Sequence, residues 1–460
     1  MNKLIGVTFI ALLTFIQSCG SDLSEPLREG HNESAYQSTY QADATEPFAI
    51  TNVNVLDGLG GEFNDVTLLV EEGKINSMGS ELAIPEHFRV IDGSGRWLTP
   101  GIVDSHSHIG VFSSPRVPSN MDLNEKTRPN TADVWVEHAV WPQDPAFERA
   151  RNAGVTTMMI LPGSANLYGG RTVTLKNVIA STVQDMKFPD APYGLKMACG
   201  ENPIKVYGNK GQAPMTRMGL VAEFRNEWLK AVQYRQQWDK YYLSGKQGTP
   251  PIRNLKLETM AEVLRGNILT HLHCYKADEI ASMIAVSKEF GFHLDVIHHG
   301  SDAYKIPQLL KQERIGVATW ANRWGFKLEM YDGIEENAGM LTQGGVLTSL
   351  HSDAAELSER MNIEAAMAMS SAIRAGFKIT KAQAIAWITS NPAKQIGIFE
   401  QTGSIESGKM ADLVLWSGDP FSVYTKPDQV FIDGVSVYSS DTQANLPSSD
   451  FELGQWETEE

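Results

Sequence analysis

Two histidines separated by one serine, His106 and His108, close the apolar run LTPGIVDSHSHIG at residues 98–110. Alternate residues of a β-strand share a face, so a strand here turns both imidazoles to one side where it runs out. Two convergent neutral imidazoles make half of a transition-metal site, and α/β enzymes keep their chemistry at the carboxyl ends of strands. The pattern recurs further along. Later apolar runs end in His271-Leu272-His273-Cys274, in His298-His299-Gly300 and in His351-Ser352-Asp353. Seven of the chain's 11 histidines therefore crowd four strand-like ends, which scattered core or surface histidines would not do. Period-two geometry sorts them: His298 and His299 face opposite ways, so one of them reaches the open end. His271 and His273 share a face with His273 nearer the end, and His351 shares a face with Asp353.

The elements that must position these residues alternate between about Trp97 and Ile398. Eight strand-like runs appear: GIVDSHSH, GVTTMMIL, RTVTLKNVI, YGLKMAC, NILTHLHC, FHLDVIHH, RIGVATW and GVLTSLHSD. Most are short, continuous apolar runs, as parallel strands covered on both faces require. Helical patterns such as ADEIASMIAVSKEFG lie between several of them. The prediction is an α/β chain with a (β/α)8 TIM-like barrel over residues 98–400 and its active site at the strand carboxyl ends. Residues 47–97 and 401–440 are β-rich and punctuated by Gly, Asn and Asp, predicting one small β-sandwich built from both chain ends.

Residues 1–19 carry Lys3, an apolar stretch Leu4–Ile16 too short to span a bilayer comfortably, and Ser18-Cys19. This segment resembles a bacterial lipoprotein signal, which implies lipidation at Cys19 and a protein exported and anchored to a bacterial membrane, on the periplasmic side or the cell surface. An ordinary cleaved secretory signal is the alternative. Residues 20–46 read as a solvated tether and 441–460 as a loose acidic tail. The formal net charge of -16 argues against a nucleic-acid partner and leaves a small molecule as the expected one. With three cysteines in all, a disulfide framework is not expected, and Cys199 and Cys274 read as small buried hydrophobes.

From about residue 48 to 440 the chain resembles the amidohydrolase superfamily. The resemblance is carried by PGIVDSHSH, HCYKADEI, VIHHGSDAYK and LHSD, with NPAKQIGI and GSIESGKMADLVLW as non-catalytic signatures. It is nearest to the imidazolonepropionase-like and prolidase-like branches. Matched residue by residue, it implies His106, His108, His273, His299 and Asp353 as the metal set. A bridging ligand is left open between Lys196, if carboxylated, and Glu201. Lys196 lies in an otherwise apolar strand, where a bare ammonium is costly to bury, whereas Glu201 stands nearer the open end. One or two divalent ions, zinc foremost, are implied accordingly. An ion held by neutral histidines lowers the pKa of its water toward neutrality, and the resemblance makes Asp353 the proton shuttle. The loops at 162–171 and 200–211 are expected to shape the substrate pocket, with Arg217, Tyr304 and Lys276 as further substrate candidates. Trp228, Trp238, Trp320 and Trp324 are expected to pack in the core. The leading function is metal-dependent hydrolysis of a C–N bond in a cyclic amide, amidine or N-acyl compound. An Xaa-Pro-type dipeptidase and a catalytically degenerate binding lipoprotein are the alternatives.

Overall fold

The computed structural model describes residues 36–441. Cys19, its leader and the acidic tail fall outside them. Five strands come from the first flank: β1 (Phe48–Leu56), β2 (Glu62–Glu71), β3 (Lys74–Gly79), β4 (Arg89–Asp92) and β5 (Trp97–Pro100). The central region contributes β6 (Ile102–Ser107), β7 (Val155–Ile160), β8 (Tyr168–Arg171), β9 (Val173–Lys176) and β10 (Gly194–Ala198). It continues with β11 (Leu269–Cys274), β12 (Val296–His299), β13 (Gly316–Thr319) and β14 (Thr348–Leu350). The last flank gives β15 (Leu413–Trp416), β16 (Pro427–Ile432) and β17 (Val435–Ser439).

Both flanks feed one sheet in the order β17-β16-β15-β5-β1-β2-β3, with β4 parallel to β1. Where a two-layer sandwich is expected, a single sheet curls onto itself. On a flat sheet β1 and β16 would stand about 14 Å apart. Instead Phe48 and Phe431 stack at 5.0 Å, and Lys74 at the start of β3 bridges Met410 just ahead of β15. Ile50, Val55, Leu68, Leu98 and Leu413 fill the space within.

In the central region β10 to β14 run parallel as neighbours, and β6 pairs parallel with β7. The run expected as a third parallel strand splits at Thr172 into β8 and β9, which are antiparallel to β10 and β7 respectively. Residues 161–167, which precede it, are too few for the crossover that a parallel neighbour needs. The result is a mixed α/β arrangement consistent with a TIM-like barrel. No ladder closes β14 onto β6 among the described residues. The two strands meet through Asp353 N donating to His106 O at 2.9 Å and Ser352 N donating to Asp104 Oδ1 at 3.2 Å.

Five helices matter for the site: α1 (Pro145–Asn152), α2 (Glu201–Gly208), α3 (Arg217–Leu243), α4 (Leu255–Arg265) and α5 (Ala277–Phe290). One face of β10 to β12, with Leu195, Met197, Leu272 and Ile297, packs on Phe224 and Trp228 of α3, Met260 of α4 and Ile280 of α5. The segment 200–211, expected as a pocket loop, is mostly α2. Gly200 turns the chain at φ 79°, Glu201 favours the positive helix start, and Pro203 is tolerated in the first turn.

Cys199 and Cys274 are not separate buried thiols but a disulfide, with Cα atoms 5.2 Å apart. The parallel register that sets Ala198 opposite His273 brings the next residues of β10 and β11 side by side. Both apolar runs end in Cys, and that shared end position was the available signal.

Candidate metal centre

The face of the central strands turned away from the helices is polar. Lys196, His271, His273 and His298 are all buried there. Asp104 ties the two ends of the strand set together, accepting from His106 N at 3.2 Å and from Ser352 Oγ at 2.5 Å. Burial pushes Asp104 up to about 7, against the pull of the Ser352 hydrogen bonds.

His106 Nε2, His108 Nε2 and Asp353 Oδ1 converge, 3.2 Å apart for His106–His108 and His108–Asp353 and 3.3 Å for His106–Asp353. His108 Nδ1 donates to Leu161 O at 2.8 Å, which leaves its Nε2 as a lone pair. That lone pair faces a carboxylate oxygen. Two acceptors at this distance repel unless a proton or a cation lies between them, so the donor set fits a bound cation. The outer hydrogen bond also fixes the tautomer that a metal ligand needs.

The imidazoles are kept in the neutral, ligating form. Burial holds His106, His273, His298 and His299 well below the ordinary histidine range. It lowers His271 to about 4 and His351 to about 3.

Of the two bridging candidates, the structure brings Lys196 to the cluster. Its Nζ donates to Pro162 O at 3.1 Å and stands 3.5 Å from His106 Nε2. Burial pushes this ammonium down to about 7, while the charge of Asp353 opposes the shift. Glu201 instead heads α2 and pairs with Lys327 at 3.2 Å. His273 lies beside the cluster, its ring 4.5 Å from that of His299, but both its nitrogens are engaged, with Ser164 Oγ at 2.9 Å and Asn202 Nδ2 at 3.4 Å.

Strict alternation does not hold at the end of β12. His299 adopts φ 73°, and Asp353 likewise sits at φ 59° after β14. The left-handed turn swings His299 back toward the cluster, so His298 and His299 both face it. Residues held in this region cost energy and concentrate at functional sites. His298 lies deeper: its Nδ1 is 2.9 Å from His106 Nδ1, and its Nε2 is 2.9 Å from His271 Nδ1. Gly194 makes room for this chain, since a Cβ there would meet His271 Cδ2 at 2.4 Å.

The weaker substrate candidates fall elsewhere. Arg217 pairs with Glu279 and Glu329 and is a structural cation. Tyr304 OH donates to Asp332 O at 2.9 Å, and Lys276 stands at the start of α5. Neither lines the two cavities that open onto Asp353. One of these, about 630 Å³, is bordered by His108, His273, His299, Tyr275 and Lys327. The other, about 520 Å³, is bordered by Arg116, Arg323, Arg360 and Trp320. Trp320, expected as an ordinary core residue, stacks on His299 with ring centroids 4.3 Å apart and forms a wall of the site. Trp324 is exposed.

A pattern describing the amidohydrolase family matches residues 97–437. The chain is 31% identical over 403 residues to "Amidohydrolase tasK" of Hapsidospora irregularis, covering 83% of this chain and 40% of that protein. It therefore spans less than half of that relative's length. It is 21% identical over 413 residues to an imidazolonepropionase of Legionella pneumophila (strain Corby), covering 80% of this chain and 92% of the relative. Among solved structures it resembles an amidohydrolase from Thermotoga maritima MSB8 at 38% identity and a TM-score of 0.79, covering 85% of this chain and 100% of the other.

Proposed function

The chain belongs to the amidohydrolase family, and from that premise we propose that it hydrolyses a carbon–nitrogen bond with the help of one or two divalent ions of the zinc class. The observation that carries this reading is the convergence of His106 Nε2, His108 Nε2 and Asp353 Oδ1 within 3.3 Å of one another. These residues would hold the ion, with His299, whose Nδ1 has no partner, as a further imidazole, and with His273 in exchange for its contact to Ser164 or Asn202. Lys196 in carboxylated form would supply a bridging oxygen. When bound, the ion supplies an activated water near neutral pH and a Lewis acid for the scissile carbonyl.

The side chains divide the remaining labour. His106 and His108 are at most 9% exposed, whereas the Asp353 carboxylate is 29% exposed and borders both cavities, so Asp353 is the member of this trio best placed to meet the substrate. Burial raises its pKa, but the neighbouring His108, His351 and Lys196 outweigh burial and hold it below the usual carboxylate range while no ion is bound. Asp353 is thus ready to accept a proton and to return it to the departing nitrogen. Substrates that suit the two cavities are cyclic amides, amidines or N-acyl compounds. Arg116, Arg360 and Lys327 are paired with Glu356, Glu364 and Glu201, but Arg323 in one wall and Lys126 and Lys205 in the other favour a substrate carrying a carboxylate. Export with a lipid anchor at Cys19 belongs to the same proposal, and the Cys199–Cys274 disulfide supports an oxidising compartment.

The test is to strip the protein with a chelator, restore zinc, and assay N-acyl amino acids, cyclic amides and dipeptides. The expected result is zinc-dependent release of a ring-opened acid, a free amine or ammonia. Free amino acids from the dipeptides alone would favour the dipeptidase alternative. Protein that is purified without chelators and neither contains nor takes up metal would leave only the binding-protein alternative.

A further inference from the structure

The metal-dependent reading leaves one buried residue of the cluster without a task. His351 is 2% exposed, and neither of its ring nitrogens has a hydrogen-bond partner. A structural histidine this deep normally satisfies at least one nitrogen. The ring of His351 stacks against His106 at 4.8 Å and stands 5.0 Å from His299. His299 Nδ1 is likewise buried and without a partner. One ring nitrogen from each of His106, His299 and His351 lies within 4.8 Å of the other two.

We propose that His106, His299 and His351 form a second, all-imidazole seat for a divalent transition ion, beside the His106–His108–Asp353 seat and sharing His106 with it. Three neutral nitrogen ligands without a carboxylate suit Zn2+, Co2+ or Ni2+ and not Mg2+ or Ca2+. His106 Nδ1 is engaged by His298 at 2.9 Å, so His106 has one free nitrogen to offer. The two seats are therefore alternatives, and an ion can stay bound when Asp353 is not a ligand.

This inference rests on the metal-dependent reading, and the experiment separates the two. Co2+ is titrated into the full chain after chelation, with visible absorption and chelator competition as readouts, for the wild type, His351→Ala, His351→Gln, Asp353→Asn and the His351→Ala/Asp353→Asn pair. Expected are a loss of affinity of at least about tenfold and an altered spectrum in both His351 variants. Asp353→Asn should retain its ion, and the pair should lose it. A wild type that binds no Co2+ overturns the metal-dependent reading along with the seat. A wild type that binds while both His351 variants match it in affinity and spectrum overturns the seat alone. Should the variants fail to fold, anomalous scattering from cobalt-loaded wild-type crystals decides: cobalt bonded to His351 supports the seat, and cobalt bonded only to His106, His108 and Asp353 overturns it.

Discussion

The two faces of the same three strands, β10 to β12, differ completely. Toward the helices stand Leu195, Met197, Leu272 and Ile297, packed among α3, α4 and α5. Toward the opposite side, one residue along in each case, stand Lys196, His271, His273 and His298. Both faces are buried, yet one is held by apolar contact and the other by polar groups that need partners. Apolar burial stabilises without specifying a ligand, whereas a buried row of imidazoles and an ammonium is costly unless something binds it. Stability and chemistry are thus separated here by the strand's alternation and not by distance.

This division makes the two faces separately breakable. The largest effect is expected from Asp353→Asn, which should lower kcat/KM by about 10²–10⁴-fold while leaving the melting temperature and most metal in place. Unchanged turnover would remove Asp353 from the reaction. On the helix side, Leu272→Ala should cost about 2–5 kcal/mol in urea unfolding, with metal content retained in the protein that remains folded. If the metal were lost first, the two faces would not be independent. Replacing both Cys199 and Cys274 by Ser removes the tie between β10 and β11 and should cost about 2–4 kcal/mol. An unchanged unfolding midpoint would mean the pair contributes nothing to stability. The smallest effect is expected from His298→Asn, which leaves every proposed ligand but removes the partner of His106 Nδ1. Zinc affinity should fall by about 10–100-fold in a chelator competition with stability little changed. No change would confine His298 to packing.

Much of the site is legible in the chain because its parts are local. The convergence of His106 and His108, one residue apart where β6 runs out, follows from strand periodicity, and the LHSD run marks Asp353 at the end of β14 even though its φ of 59° breaks the alternation. What stays hidden depends on register between strands or on a single torsion. The pairing of Cys199 with Cys274 needs β10 and β11 in parallel register across 75 residues. The shared orientation of His298 and His299 needs φ 73° at His299, which alternation cannot foresee. The choice between Lys196 and Glu201 turns on where β10 ends and α2 begins, and the apolar pattern blurs that boundary. The antiparallel course of β8 and β9 follows from the brevity of 161–167, a constraint legible in retrospect.

The seam between β5 and β15 carries a consequence for synthesis. Trp416 Nε1 donates to Thr99 Oγ1 at 2.9 Å across 317 residues, and β5 has β1 on one side and β15 on the other. The first hundred residues therefore emerge from the ribosome with an open strand edge, and their partner arrives only near the end of translation. Contacts this distant in sequence form late and slowly. The central strands lie inside a loop whose clasp is fastened last, so removing either β1–β5 or β15–β17 should undo the same sheet.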